Sequence, residues 1–101
     1  MDLKTYLRQL HDDEARAAFA RRCGTTLGHL RNCIYVEGKR IATAICAQIE
    51  RETLGAVPCE TLRDDLAWVR IADAEWPWHP AGRPLLDVAA VRLPAPIEQA
   101  A

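Results

Sequence analysis

Apolar residues in the first part of the chain recur at helical spacing. Leu3, Tyr6, Leu7 and Leu10 stand at i, i+3, i+4 and i+7, with Asp2 placed as an N-cap, which predicts a short amphipathic helix. A second helix is expected to begin near His11 to Asp13, where carboxylates suit a helix N-terminus, with Ala15, Ala18, Phe19 and Cys23 on one side. Gly24 follows in the position of a left-handed C-cap. Thr25 and Thr26 offer hydroxyls to start a third helix, whose buried side is Leu27, Leu30, Cys33 and Ile34. At about 100° per residue, Gly28, Asn32 and Tyr35 then face outward, flanked by His29 and Arg31.

A turn at Glu37 to Lys39 leads to a fourth helix, "RIATAICAQIERET", with Ile41, Ile45 and Ile49 inward and Gly55 closing it. A fifth is predicted over "PCETLRDDLAW", with Pro58 in its first turn and Leu62, Leu66 and Trp68 facing the bundle. The pattern changes after Trp68. "EWPWHPAGRP" and "LPAP" exclude a regular helix, and "LLDVAAVRL" between them fits a strand or a short helix equally. The chain therefore reads as an all-α domain of five helices over residues 1–68, with a Pro/Trp-rich extension over 69–101 that has room for short strands.

Composition and charge narrow the function. The 101 residues suit one small domain, and 50% hydrophobic with 27% charged residues is the balance of a folded chain. No apolar run approaches the ~20 residues of a membrane span, and "MDLKTYLRQLHDDE" is too polar for a signal peptide, so a cytoplasmic location is expected and no membrane partner. Cys23, Cys33, Cys46 and Cys59 are widely separated and form no CxxC pair, which points to small core residues and to no metal. The net charge is −1, yet the charges are unevenly spread. Nine basic residues face seven acids through Val57, four face seven from Pro58 onward, and Arg16 to Arg40 holds six basic residues against one acid. A local positive field of this kind suits phosphate binding better than the whole-chain charge suggests.

Two short helices around Gly24 match a helix-turn-helix: Ala20 permits a close crossing, Gly24 accepts a positive φ, and Leu30 and Cys33 seal the pair onto the bundle. Helix-glycine-helix also occurs in bundles that bind nothing. On the outward face, Arg31 suits guanine or phosphate, Asn32 suits adenine and His29 either kind of group, although a merely solvated face has the same composition. Gly28 is the informative residue, because glycine inside a helix costs about 1 kcal/mol relative to alanine. It implies close approach to a major groove or close packing on the first helix. Arg16, Arg21, Thr25, Lys39 and Arg40 are placed to hold phosphates. No phosphate-cradling glycine loop, nucleophile elbow or metal motif points to an enzyme or a cofactor, and Asp12 to Glu14, like Asp64 and Asp65, read as helix-dipole partners. Trp76 and Trp78 read as anchors, seated in the bundle or in a second subunit, and with Leu85, Leu86, Val88 and Val91 they form the candidate dimer interface.

"FARRCGTTLGHLRNC" resembles the helix-turn-helix of lambda-repressor-like regulators. With "LKTYLRQL" and "AICAQIERETLGAVPCETLRDDLAW", residues 1–68 resemble the YdaS-like, antitoxin-associated group of Cro/CI-type phage and prophage regulators. The resemblance implies a five-helix domain that binds operator DNA as a dimer, usually as a repressor, with Arg16 at a phosphate and Thr26, Leu27, Gly28 and Asn32 at base edges. Leu27 departs from the polar residue of many wider relatives, and Ile41 and Asp64 stand near places where the family tends to carry proline. The expected function is a sequence-specific repressor whose third helix enters the major groove. The alternative is an antitoxin-like protein whose main role is to neutralise a protein partner.

Overall fold

The computed structural model describes residues 1–86. The elements are α1 (Leu3–Gln9), α2 (Asp13–Arg22), α3 (Leu27–Tyr35), α4 (Thr43–Glu52), α5 (Cys59–Leu62), β1 (Trp68–Ile71) and β2 (Arg83–Leu86). Three helix starts are secured by their own sequence. The carboxylate of Asp2 accepts from the Thr5 amide at 2.8 Å, that of Asp12 from Ala15 at 2.8 Å, and the Thr26 hydroxyl from His29 at 3.1 Å. Each satisfies one of the amides that a helix start leaves without a partner.

The end of α2 is a Schellman turn. Gly24, at φ +85°, donates to the Arg21 carbonyl, and Thr25 donates to that of Ala20, both at 3.0 Å. Phe19 and Ala20 of α2, its C-cap Cys23 and Leu30 of α3 are fully buried with Cys46 and Ile49 of α4, and Leu3 and Leu7 of α1 close the same core. The Tyr6 and Phe19 rings, 5.1 Å apart, join α1 to α2. Cys23, Cys46 and Cys59 are fully buried free thiols; burial pushes Cys23 up to about 12 and Cys46 to about 11. They pack as small apolar groups.

The helical prediction is shifted at three places. Helix α4 begins at Thr43 with Ala42 as a cap that lends no side chain, so Ile41 lies in the preceding loop, though buried. Arg63 pins that loop by donating to the Ile41 carbonyl at 2.9 Å while gripping Asp65 with two further bonds. At the end of α4 the left-handed turn starts one residue before the expected glycine. Leu54 takes φ +53° and Gly55 follows at +85°, its amide donating to the Glu50 carbonyl at 2.8 Å.

The fifth helix is only four residues long. Leu66 lies beyond it, and Trp68 opens a strand, donating its indole N–H to the Arg63 carbonyl at 2.9 Å. The all-α expectation is thereby amended: five helices are joined by a two-stranded antiparallel sheet. It pairs Trp68 with Leu86, Val69 with Leu85, Arg70 with Pro84 and Ile71 with Arg83. Alternation along β1 turns Trp68 and Arg70 toward the helices and leaves Val69 and Ile71 exposed.

This hairpin is tied to the helices by a buried ion cluster across the boundary expected after Trp68. Glu50 of α4 is fully buried and takes both Arg70 Nη atoms at 2.6 Å, the Trp76 indole N–H at 2.7 Å and the Cys59 amide at 3.0 Å. Arg70 also reaches the Glu60 carboxylate at 2.7 Å and the Gly82 carbonyl at 3.0 Å. Burial alone would push the Glu50 carboxyl up, but the bonds from Arg70, Trp76 and the Cys59 amide hold it down, to about 2. Among the described residues, no helix is long and apolar enough to cross a membrane.

Candidate nucleic-acid interface

The outward face of α3 is built as the spacing predicts. Gly28, His29, Arg31, Asn32 and Tyr35 are exposed, while Leu27, Cys33 and Ile34 are half-buried against the core under Leu30. Nine residues at about 1.5 Å per residue give a rod some 13 Å long. Its free N-terminal end carries Thr25, Thr26 and Gly28, while Lys39 and Arg40 lie past the opposite end. A β-carbon added at Gly28 would meet nothing within 4 Å. Packing against α1 therefore does not account for this glycine.

The other expected base-reading residues have local attachments. Thr26 spends its hydroxyl on the α3 cap, and Leu27 packs on the core. The His29 Nε2 lies 3.7 Å from the Cys33 thiol, one turn on. Asn32 makes no side-chain hydrogen bond among the described residues. Arg31 donates to Asp13 Oδ1 at 2.8 Å, a contact from α3 to the first turn of α2. Both side chains are about half exposed or more, so solvent screens the pair and it opens readily.

The expected phosphate-holding residues differ in how far they are engaged within the chain. Arg21 is exposed on α2. Thr25 gives its amide to the Schellman turn, and Arg40 bonds the Lys39 carbonyl at 3.2 Å and approaches Asp65 at 4.0 Å. Arg16 is largely occupied inside the fold. Its Nε donates to the Leu7 carbonyl at 2.7 Å, Nη2 to that of Leu10 at 3.0 Å and Nη1 to Asp13 Oδ1 at 2.8 Å. A cation bonded to the last carbonyls of α1 staples α1 to α2, and its side chain is only 21% exposed.

Asp13 is the hinge of this arrangement. One oxygen accepts from both Arg31 and Arg16, which hold its carboxyl below the usual range. In the sequence Asp13 reads only as a helix-dipole partner, and Lys4 and Arg8 carry no assigned role. Those two lie one turn apart on α1 and border, with Arg16 and Arg31, a cleft of about 140 Å³ between α1 and α3. Their i, i+4 spacing beside the buried Leu3 and Leu7 was the available signal.

The candidate dimer interface is partly consumed within the chain. Trp76 gives its indole N–H to Glu50, and its ring lies 5.0 Å from that of Trp78. The Trp78 backbone packs where a side chain on Gly55 would have to sit. Both tryptophans are half-buried and seated against the helical bundle of their own chain, one of the two placements open from sequence. Leu85 and Leu86 are half-buried in β2, and Val88 and Val91 lie outside the described residues. No protein-family model, curated protein or solved structure matches this chain.

Proposed function

We propose that the chain is a non-enzymatic, sequence-specific DNA-binding regulator in which α2 and α3 act as a helix-turn-helix and α3 enters the major groove. The observation that carries this reading is Gly28. It stands in the first turn of α3, on an exposed face with open space above it, so nothing within the described chain repays the helix propensity it gives up relative to alanine, at most about 1 kcal/mol. A major groove only about 12 Å wide, which just admits a helix, repays it by letting the backbone approach the base edges. Asn32 and, once released from Asp13, Arg31 are the reading residues, with His29, Thr26 and Leu27 beside them. Arg21, Lys39 and Arg40 serve as phosphate contacts, and Arg16 keeps α1 and α2 in register. The YdaS-like, Cro/CI-type resemblance of residues 1–68 supports the same assignment, including a dimer on a twofold-symmetric site and repression as the output.

The test is selection of bound duplexes from a random library, with wild type beside the Arg31→Ala/Asn32→Ala variant. A twofold-symmetric motif recovered by wild type and lost in the variant is the expected result. Failure of folded wild type to enrich any motif at low salt would overturn the reading. A protein partner, as for an antitoxin, is the second reading, supported by Val69 and Ile71, which are 41% and 45% exposed on the outer side of β1.

A further inference from the structure

The cleft between α1 and α3 concentrates charge in a way the α3 reading face does not explain. Lys4, Arg8, Arg16 and Arg31 line it together with Leu7, Ile34 and Tyr35, and no carboxylate among the described residues belongs to the lining. Asp13 outside the lining is the shared carboxylate partner of Arg16 and Arg31. Four cations against one carboxylate leave a surplus of positive charge in a concave site, where low-dielectric walls focus the field. Its volume of about 140 Å³ far exceeds the ~10–15 Å³ that one water needs. Lys4 is steadied at the rim, its ammonium 5.3 Å above the Tyr35 ring.

The four cations differ in freedom. Arg16 is fixed by the α1 carbonyls, whereas Arg8 is exposed and Arg31 is 47% exposed on an ion pair that opens readily. A tetrahedral oxyanion entering the cleft would meet the ammonium of Lys4 and the guanidinium of Arg8, with Arg16 behind them. Arg31 and Tyr35 are one turn apart on α3, so the cleft adjoins the exposed face that carries Gly28 and Asn32.

We propose that this cleft binds a phosphate group through Lys4 and Arg8, with Arg16 as its fixed inner wall, and that the phosphate is one from the DNA backbone bordering the groove that α3 enters. The source of the phosphate rests on the DNA-binding reading; the site itself does not. Engagement there places α1 on the backbone beside the reading helix.

The experiment combines two probes on the full chain. Inorganic phosphate is titrated into isotope-labelled protein, with chloride at equal ionic strength as the control, while the amide and arginine side-chain resonances of Lys4, Arg8, Arg31 and Tyr35 are followed. Binding to a labelled duplex is measured across a salt series for wild type, Lys4→Gln/Arg8→Gln and the charge-preserving Lys4→Arg/Arg8→Lys. Expected are phosphate-specific shifts in wild type, their loss in Lys4→Gln/Arg8→Gln, and a slope of log affinity against log salt that falls by about 1 in that variant and is kept in the charge-preserving one.

Duplex binding with an unchanged slope in Lys4→Gln/Arg8→Gln would overturn the proposal and leave the DNA reading standing. Phosphate shifts without duplex binding would keep the site, assign it to a free phosphate and overturn both its DNA source and the DNA reading. Absence of phosphate-specific shifts in wild type overturns the site whether or not either variant folds.

Discussion

Gly28 carries two opposite predictions. In the free protein, Gly28→Ala adds a methyl group into open space and removes the entropic handicap of glycine, so it is expected to stabilise the fold by roughly 0.4–1 kcal/mol in denaturant titration. On a duplex carrying the selected site, the same methyl group stands between backbone and base edges, and affinity is expected to fall at least severalfold. A variant that is both more stable and as tight a binder would remove the groove as the reason for the glycine. The outward placement of Gly28, Asn32 and Tyr35 was legible in the sequence because rotation per residue is a local property of a helix. The attachments of Arg16 and Arg31 were not. Arg31 meets Asp13 eighteen positions away, and Arg16 finds the α1 carbonyls only because the α1–α2 turn folds back.

The same division between local and distant causes governs the elements. Caps lie next to the helices they start or stop, and Asp2, Asp12, Thr26 and Gly24 placed α1 to α3 almost to the residue. The spacing of Leu62, Leu66 and Trp68 suits a fifth helix longer than the four residues it spans, but Trp68 is claimed by pairing with Leu86, which no local pattern records. At the end of α4, glycine was expected to carry the left-handed turn, and Leu54 shares it. A branched residue there is strained by roughly 1–2 kcal/mol, and Leu54, at 73% exposed, gains little burial in return. Leu54→Gly should therefore raise stability by about 1 kcal/mol, read as a higher midpoint in urea with an unchanged m-value. A loss of stability would mean that the exposed leucine is covered by something outside its own helix.

At the scale of the whole molecule, Glu50 decides whether residues after Trp68 are an appendage or part of the fold. Arg70 and Trp76 supply three of its four hydrogen bonds, so a chain cut after Trp68 leaves this carboxylate, set in the core side of α4, with only the Cys59 amide of those partners. Breaking a buried pair by removing one partner costs about 3–5 kcal/mol, a large share of what so small a domain has. The fragment 1–68 should therefore be largely unfolded by near-UV circular dichroism and amide exchange, whereas a truly separable helical domain would stay folded. Acid titration tests the same cluster in the intact protein. The Glu50 carboxyl titrates at about 2 when folded against an ordinary 4.5, so the folded chain binds this proton less readily than the unfolded one. Its contribution, on the order of 3 kcal/mol, is fully present above pH ~4.5 and is lost as pH falls toward 2. Asp13, Glu60 and Asp65, also held low by arginines, act in the same direction. Stability measured by denaturant from pH 7 downward should hold level to about pH 5 and then fall steeply with net proton uptake on unfolding. In Arg70→Met, burial is no longer opposed by the guanidinium, Glu50 is driven toward its neutral form, and its part of the acid loss should flatten or reverse. An acid profile identical in the two proteins would mean that the carboxylate is solvated, and that the hairpin is held to the helices by apolar contact alone.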